Sequence, residues 1–178
     1  EKRFVEGVEQ YSYVLKVNPE RTLTYMDGKS TQVRETKFSD SNSIISFADK
    51  GYKEAGIDGY TNLQISNLLT HSLADGTCFV LTLNNKVIGF IGGTIVEAGS
   101  VILLNTLAWY VEPEYRGAHS IKLLKQYINK AKELKVNKII AYSRYTSDTP
   151  KMNRMYSKFG FNVKEISYEL ELNTCLIQ

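Results

Sequence analysis

The chain has 178 residues, 43% of them hydrophobic and 23% charged, with a formal net charge of +3. That length fills one domain with a full core, and the balance excludes a disordered or fibrous chain. A small positive charge without blocks of like sign gives no nucleic-acid or membrane signal, and no apolar run spans a bilayer. Cys78 and Cys175 lie far apart, and His71 and His119 are the only histidines. No metal spacing results, so no metal site is expected, with two reduced thiols in a cytoplasmic protein.

Residues 1–30 read as an N-terminal arm or hairpin ahead of a main domain over residues 31–178. Tyr11 to Val17 and Arg21 to Met26 alternate weakly around Asn18-Pro19. Asp27-Gly28 is a turn signal, and a strand is expected around Gln32–Thr36. Ser39, Asp40 and Ser41 offer caps for a helix through Ile44, Ile45, Ala48 and Tyr52, ending near Gly56. Thr61 and Gln64 form a capping-box pattern for a second helix, with Ile65, Leu68, Leu69 and Leu73 on one face.

From Thr77 the period changes to that of strands. CFVLTLNNKVIGFIGGTIV reads as two strands joined at Asn84-Asn85-Lys86, with Gly89, Gly92 and Gly93 marking a bulge or bend. Ala98-Gly99-Ser100 makes the next turn, and Val101–Val111 supplies the third strand of an antiparallel meander. A loop, EPEYRGAHS, then opens a long amphipathic helix. Ile121, Leu124, Ile128, Ala131 and Lys135 step round one side, with Tyr127 and Leu134 widening the stripe. Lys122, Lys125, Lys130 and Lys132 fall mostly opposite, as a solvated face. KIIAYSR follows as a strand parallel to the previous one through a right-handed crossover. Asp148-Thr149-Pro150 starts a short helix that ends at Phe159-Gly160, and Asn162–Leu172 alternates as a closing strand.

A loop that opens a helix directly presents unpaired N–H groups and the positive end of the helix dipole, a setting for anions. Arg116 and Gly117 add a fixed charge and a residue that permits close backbone approach. The string WYVEPEYRGAHSIKLL resembles the strand-to-helix signature of the GNAT acyltransferase superfamily. MNRMYSKFGF resembles that family's second motif, a short helix carrying Tyr and then Gly-Phe. The likeness covers roughly Gln32 to Leu172. It implies an α/β fold: a GNAT-like mixed sheet with an antiparallel meander, a parallel β-α-β crossover, and strands splayed at the cofactor site.

The resemblance also implies an activity, acetyl-CoA-dependent transfer of an acetyl group to a primary amine. It assigns the pyrophosphate to the backbone of Arg116, Gly117, Ala118, His119, Ser120 and Ile121. The family pattern has small residues where this chain has His119 and Ile121. Trp109, Tyr110 and Val111 match the strand end that binds the acyl-donor arm through its main chain. Tyr156 matches the family's acid for the leaving thiolate; read from periodicity alone, it is a core tyrosine beside Met152, Met155 and Phe159. Where some members carry a Glu base this chain has Asn105, which accepts no proton at useful pH. Glu97, Glu112, Glu114 and a water relay through Asn105, Ser143 or Tyr145 stay open as alternatives. The acceptor is an amine of a small molecule, a peptide N-terminus or a lysine. A GNAT-fold binding, structural or inhibitory module without catalysis is the competing expectation, and residues 1–30 offer a surface for a homodimer.

Overall fold

The computed structural model describes residues 10–16, 31–56, 61–144 and 149–167. The described strands are β1 (Gln10–Lys16), β2 (Thr31–Glu35), β3 (Cys78–Leu83), β4 (Lys86–Ala98), β5 (Val101–Val111), β6 (Lys138–Arg144) and β7 (Asn162–Ser167). The helices are α1 (Ser41–Glu54), α2 (Asn62–Ala74), α3 (Ala118–Glu133) and α4 (Thr149–Lys158). The seven described strands form one sheet in the order β2-β3-β4-β5-β6-β1-β7. Neighbours are antiparallel except β5 and β6, which run parallel and are joined through α3. The mixed sheet with its meander and parallel crossover is thus the expected one.

Gln10–Lys16 lies inside this sheet, paired on one side with β6 and on the other with β7. The sequence had placed it in an arm or hairpin ahead of the domain. The proposed hairpin partner around Arg21–Met26 lies outside the described residues, as do the last residues of the closing strand and Cys175.

Two cores flank the sheet. On one face, Leu123, Leu124, Tyr127, Ile128 and Ala131 of α3 pack on Phe79, Ile91, Leu104 and Ile139, joined by Tyr156 of α4. On the other, Ile44, Phe47 and Ala48 of α1 and Ile65 and Leu69 of α2 cover Val80, Phe90 and Tyr110. The α3 stripe differs from the expected one by a residue at each end. Leu123 is fully buried, whereas Lys135 lies beyond the helix at φ +55, in the left-handed turn that ends it. Lys122 and Lys130, expected as solvated surface, instead reach β2, Lys122 at Thr31 (3.2 Å) and Lys130 at Glu35 (2.8 Å).

Local chemistry sets most boundaries. Asn84 and Asn85 take φ of +49 and +67, the two left-handed positions of a tight hairpin turn. Thr61 and Gln64 close their capping box, with Thr61 Oγ1 accepting from the Gln64 N–H and Gln64 Oε1 from the Thr61 N–H. Asp40 does not cap α1 as expected. Its carboxylate turns back to accept from the Lys37 N–H (2.8 Å) and from both terminal nitrogens of Arg34 (2.7 and 2.9 Å). A charged bidentate pair is stronger than a neutral cap, so it takes the carboxylate. Cys78 is buried, and burial pushes its thiol up, away from a reactive thiolate.

The Gly92-Gly93 signal has a steric cause. The β4–β5 register slips between Gly92 and Gly93, so Gly92 faces Ala108 while Gly93 faces Thr106, leaving Leu107 as the extra residue. Opposite the bulge, Tyr127 presses its hydroxyl onto Gly93 and shares a hydrogen bond with Thr106 (3.2 Å). A Cβ on Gly93 would sit 2.0 Å from that oxygen and 2.6 Å from the Asn105 carbonyl oxygen. Ser72 of α2 and Thr77, just before β3, fix the same residue: Ser72 Oγ accepts the Gly93 N–H at 3.0 Å, and Thr77 donates to the Gly93 carbonyl.

Gly93→Ala should therefore cost about 1–3 kcal/mol or more, read from urea unfolding, because both obstacles belong to the packed core. Asp40 supplies a pH signature. Arg34, with the Lys37 amide, holds its carboxyl below the ordinary carboxylate value. A depressed folded pKa gives stability that is present above the unfolded value near ~3.9 and lost as pH falls through the folded one. Asp40→Asn should cost about 1–3 kcal/mol at neutral pH. The gap from the wild type should close between about pH 5 and pH 2 in thermal melts.

Candidate active site

The site begins with a break in the sheet. β5 pairs with β4 along its whole length, from Val101 opposite Ala98 to Val111 opposite Gly89. With β6 it pairs only at Leu103, Leu104 and Asn105, opposite Lys138, Ile139 and Ile140. β6 continues to Arg144, but its far edge is held by β1 over the whole strand. Each strand is thus anchored on its outer side, and a slot opens between them beyond Asn105. On its β5 side, residues from Thr106 onward present backbone groups toward the slot without a ladder partner on β6.

The loop after β5 ends at the start of α3. Pro113–Tyr115 form one 3-10 turn, and Gly117 (φ +96, ψ −117) swings the chain into the helix. The first helical hydrogen bond runs from the Ile121 N–H to the Gly117 carbonyl, and no side chain caps the end. The N–H groups of Ala118, His119 and Ser120 therefore precede the helical ladder, where an anion is favoured. No acidic residue occupies this first turn.

The side chains at the loop find partners within the protein. Arg116 is committed to the protein: its Nε donates to the Val111 carbonyl (2.9 Å) and its Nη2 to both Glu54 oxygens (2.7 and 2.9 Å). Its guanidinium also lies 5.4 Å from the centre of the Tyr110 ring. It bolts the loop to α1 and to the strand end. His119 Nδ1 lies 3.2 Å from Thr31 Oγ1, so the imidazole is tied to β2. Ile121 is half-buried on the first turn of α3. The positions that depart from small residues thus have neighbours of their own, while the backbone amides stay in place.

Trp109, Tyr110 and Val111 alternate across the sheet. Trp109 packs on the α3 side, edge-on to Tyr156 with ring centres 6.1 Å apart. Its Nε1 is buried without a hydrogen-bond partner. Tyr110 faces α1, stacked on Phe47 at 5.5 Å, and burial pushes its phenol up. Val111 is buried in the α3-side core. Tyr156 is 2% exposed, held edge-on between Trp109 and Phe161. The structure therefore brings Tyr156 against the strand end named with it, though the two lie far apart in sequence. Asn105 is the last paired residue before the slot, and its Oδ1 is buried without a partner. Of the acids left open as bases, Glu112 is paired with Lys50 at 2.7 Å. Ser143 continues β6, and Tyr145 lies outside the described residues.

Sequence reasoning missed Glu54, Thr31, Ser72 and Thr77, each of which positions a part of the site. Only the Gly-Gly pair carried a signal, since it marks where β4 must admit Tyr127. Among the described residues no cluster of His, Cys, Asp and Glu could hold a metal ion, and no helix is long and apolar enough to cross a membrane.

Comparison with known proteins fits this geometry. The model of the acetyltransferase (GNAT) domain matches residues 74–163, and the chain belongs to the GNAT acetyltransferase family. No curated protein matches it by sequence. Among solved structures it resembles a GCN5-related N-acetyltransferase from Sphaerobacter thermophilus, with a TM-score of 0.68 and 12% identity over 91% of this chain. It spans only 50% of that protein's chain. A predicted acetyltransferase from Clostridium acetobutylicum, solved with acetyl-CoA, gives 0.61 at 19% identity over 80% of this chain and 96% of the other. Arabidopsis thaliana Naa50, in complex with a bisubstrate analogue, gives 0.58 at 16% identity over 76% and 85%. At these identities the likeness is one of fold.

Gly117 offers a test of the loop. A Cβ there meets nothing within 4 Å, so crowding plays no part, yet its φ of +96 is one that side-chain-bearing residues rarely adopt. Gly117→Ala should lower stability by about 1–3 kcal/mol in chemical unfolding through backbone strain alone.

Proposed function

We propose that the chain is an acetyl-CoA-dependent N-acetyltransferase that passes the acetyl group directly to a primary amine. The observation that carries this reading is the parting of β5 from β6 after Asn105, beside the uncapped start of α3. The two features suit one donor. The amides of Ala118, His119 and Ser120 would hold its pyrophosphate, and the slot would admit its narrow thioester arm. The unpaired backbone of β5 between Thr106 and Val111 would hydrogen-bond the arm and the acyl oxygen.

Direct transfer needs the amine and the thioester carbon held together, a donor to the carbonyl oxygen, and a proton for the departing sulfur. A backbone N–H at the slot serves the second need without reorganisation. Tyr156 serves the third: an ordinary phenol, with a pKa near ~10, is protonated at neutral pH and can donate to a thiolate. Burial of its ring between Trp109 and Phe161 fixes its direction. Arg116 acts in this reading as a positioning residue, because its bonds to Val111 and Glu54 hold loop, strand end and α1 in register. A cytoplasmic setting is part of the proposal, and the larger acyl groups remain competitors for the same slot.

A second reading rests on that use of Arg116. With its charge spent on Glu54, the loop offers amides without a free cation, as a binding or inhibitory GNAT-fold module without catalysis would.

Calorimetric titration with acetyl-CoA separates the two: saturable binding at micromolar to low-millimolar donor supports the enzyme reading, and no heat at millimolar donor overturns it. The chain's single tryptophan, Trp109, should report the same event by a fluorescence change. Tyr156→Phe should lower kcat by about 10–100-fold while donor affinity stays within about twofold, as loss of a general acid does; an unchanged rate removes Tyr156 from the mechanism.

A further inference from the structure

The slot contains a buried acceptor atom with nothing to accept from. Leu104 is fully buried in the α3-side core, and Thr106 hydrogen-bonds Tyr127 of α3, so Asn105 between them faces the opposite side, that of α1 and α2. Across the parallel register its neighbour is Ile140, and Tyr142, 43% exposed, follows two residues later on that face. The Asn105 carboxamide oxygen lies where β5 and β6 separate, buried and without a hydrogen-bond partner. Leaving such a group unpaired costs about 1–3 kcal/mol, so a ligand N–H there recovers a deficit already built into the fold. α3, its open amides and Tyr156 all lie on the other face. A donor seated from that side leaves this one to the acceptor.

Among the described residues, neither β5 nor β6 brings a carboxylate to this face. β5 and β6 contain no acidic residue, and Glu97, the one acid of β4, falls by alternation on the α3 side with Ile95. From the covering helices, Asp49 and Glu54 of α1 are engaged by Lys53 and Arg116, and Asp75 after α2 accepts the Ile95 N–H at 3.0 Å. Among the described residues, the other titratable groups on this side include Arg34 paired with the buried Asp40, the buried Cys78 of β3, Tyr52 of α1, Lys50 of α1 paired with Glu112, Tyr110 of β5, Lys138 and Tyr142 of β6, and the exposed His71 of α2. Asn105 can orient an amine but cannot take its proton.

We infer that Asn105 is the acceptor-binding residue of the proposed acetyltransferase, and that the site takes weakly basic primary amines, above all peptide or amino-acid α-amines, in their neutral form. The inference rests on the N-acetyltransferase reading. From the neutral amine the step balances without an external base: the N–C bond forms, the C–S bond breaks, and one proton leaves nitrogen and ends on sulfur. From an ammonium a further proton must first leave, and among the described residues no free carboxylate of the sheet stands beside Asn105 to receive it. With ordinary values near ~8 for an α-amine and ~10.4 for lysine, roughly a quarter of the former but only about one in a thousand of the latter is neutral near pH 7.5. The greater nucleophilicity of a neutral lysine returns part of that difference.

The test compares a lysine-free peptide with a free N-terminus against its N-blocked counterpart carrying one lysine, with acetyl-CoA, from pH 6 to 10. The expected result is at least a tenfold higher kcat/KM for the α-amine at pH 7.5. Each rate should rise tenfold per pH unit until it levels at the acceptor's own pKa. Asn105→Ala should raise KM for the peptide about tenfold with unchanged calorimetric affinity for acetyl-CoA. Asn105→Asp should move the rise to lower pH and narrow the preference, and His71→Ala should change neither. Equal use of lysine at pH 7.5, a plateau well below the amine's pKa, or an unaltered KM in Asn105→Ala would overturn the inference. So would acetyl-CoA binding without transfer to either peptide. Absence of acetyl-CoA binding would instead remove the reading beneath it.

Discussion

The structure turns on a divided strand pair. β5 and β6 are the one parallel pair among the described strands, and they share only three paired positions before separating. Separation leaves hydrogen-bonding groups unmatched along β5, a state a folded chain tolerates only where something compensates. Compensation comes from both flanks. β4 holds β5 through its full length, and β1 holds β6 along the whole strand. The bulge at Leu107 then lets β5 turn away from β6 without losing β4.

That bend depends on a small steric arrangement. Gly93 has no Cβ, so the Tyr127 hydroxyl can occupy the space opposite the bulge and bond Thr106. Burial pushes the Tyr127 phenol far above its ordinary value, so it remains a neutral bracket rather than an acid. Ser72 of α2 and Thr77 just ahead of β3 hold the same glycine. The pieces that shape the slot are therefore core residues from both faces of the sheet. The residues that would touch substrate are fewer, and several contribute only main chain.

Charge is used in the same manner. Arg116, the obvious anion-binding candidate by residue type, is bound to Glu54 and the Val111 carbonyl, while the uncapped amides of α3 are left for a ligand. An exposed pair such as this contributes little stability, since solvent screens it, so its value lies in fixing the loop against α1. The unpaired oxygen of Asn105 and the unpaired Nε1 of Trp109 sit on opposite faces of β5, one for each side of the slot.

The sequence by itself determined the order of elements and both anchor motifs. The period of two from Cys78 to Val111, the Asn84-Asn85 turn, the Thr61–Gln64 box and the α3 stripe are local patterns, fixed by backbone geometry within a few residues. So is the open start of α3, because an uncapped helix end follows from the residues that precede it. Only the tertiary structure decided what those groups meet. That Gln10–Lys16 enters the sheet, that Arg116 finds Glu54 and His119 finds Thr31, and that Tyr156 lies against Trp109 depend on residues distant in the chain. Asn105 shows the difference most clearly: its amide chemistry is legible in one letter, but its burial without a partner exists only where two strands separate. Propensity and spacing act along the chain, whereas an unmatched polar atom is a property of the space around it.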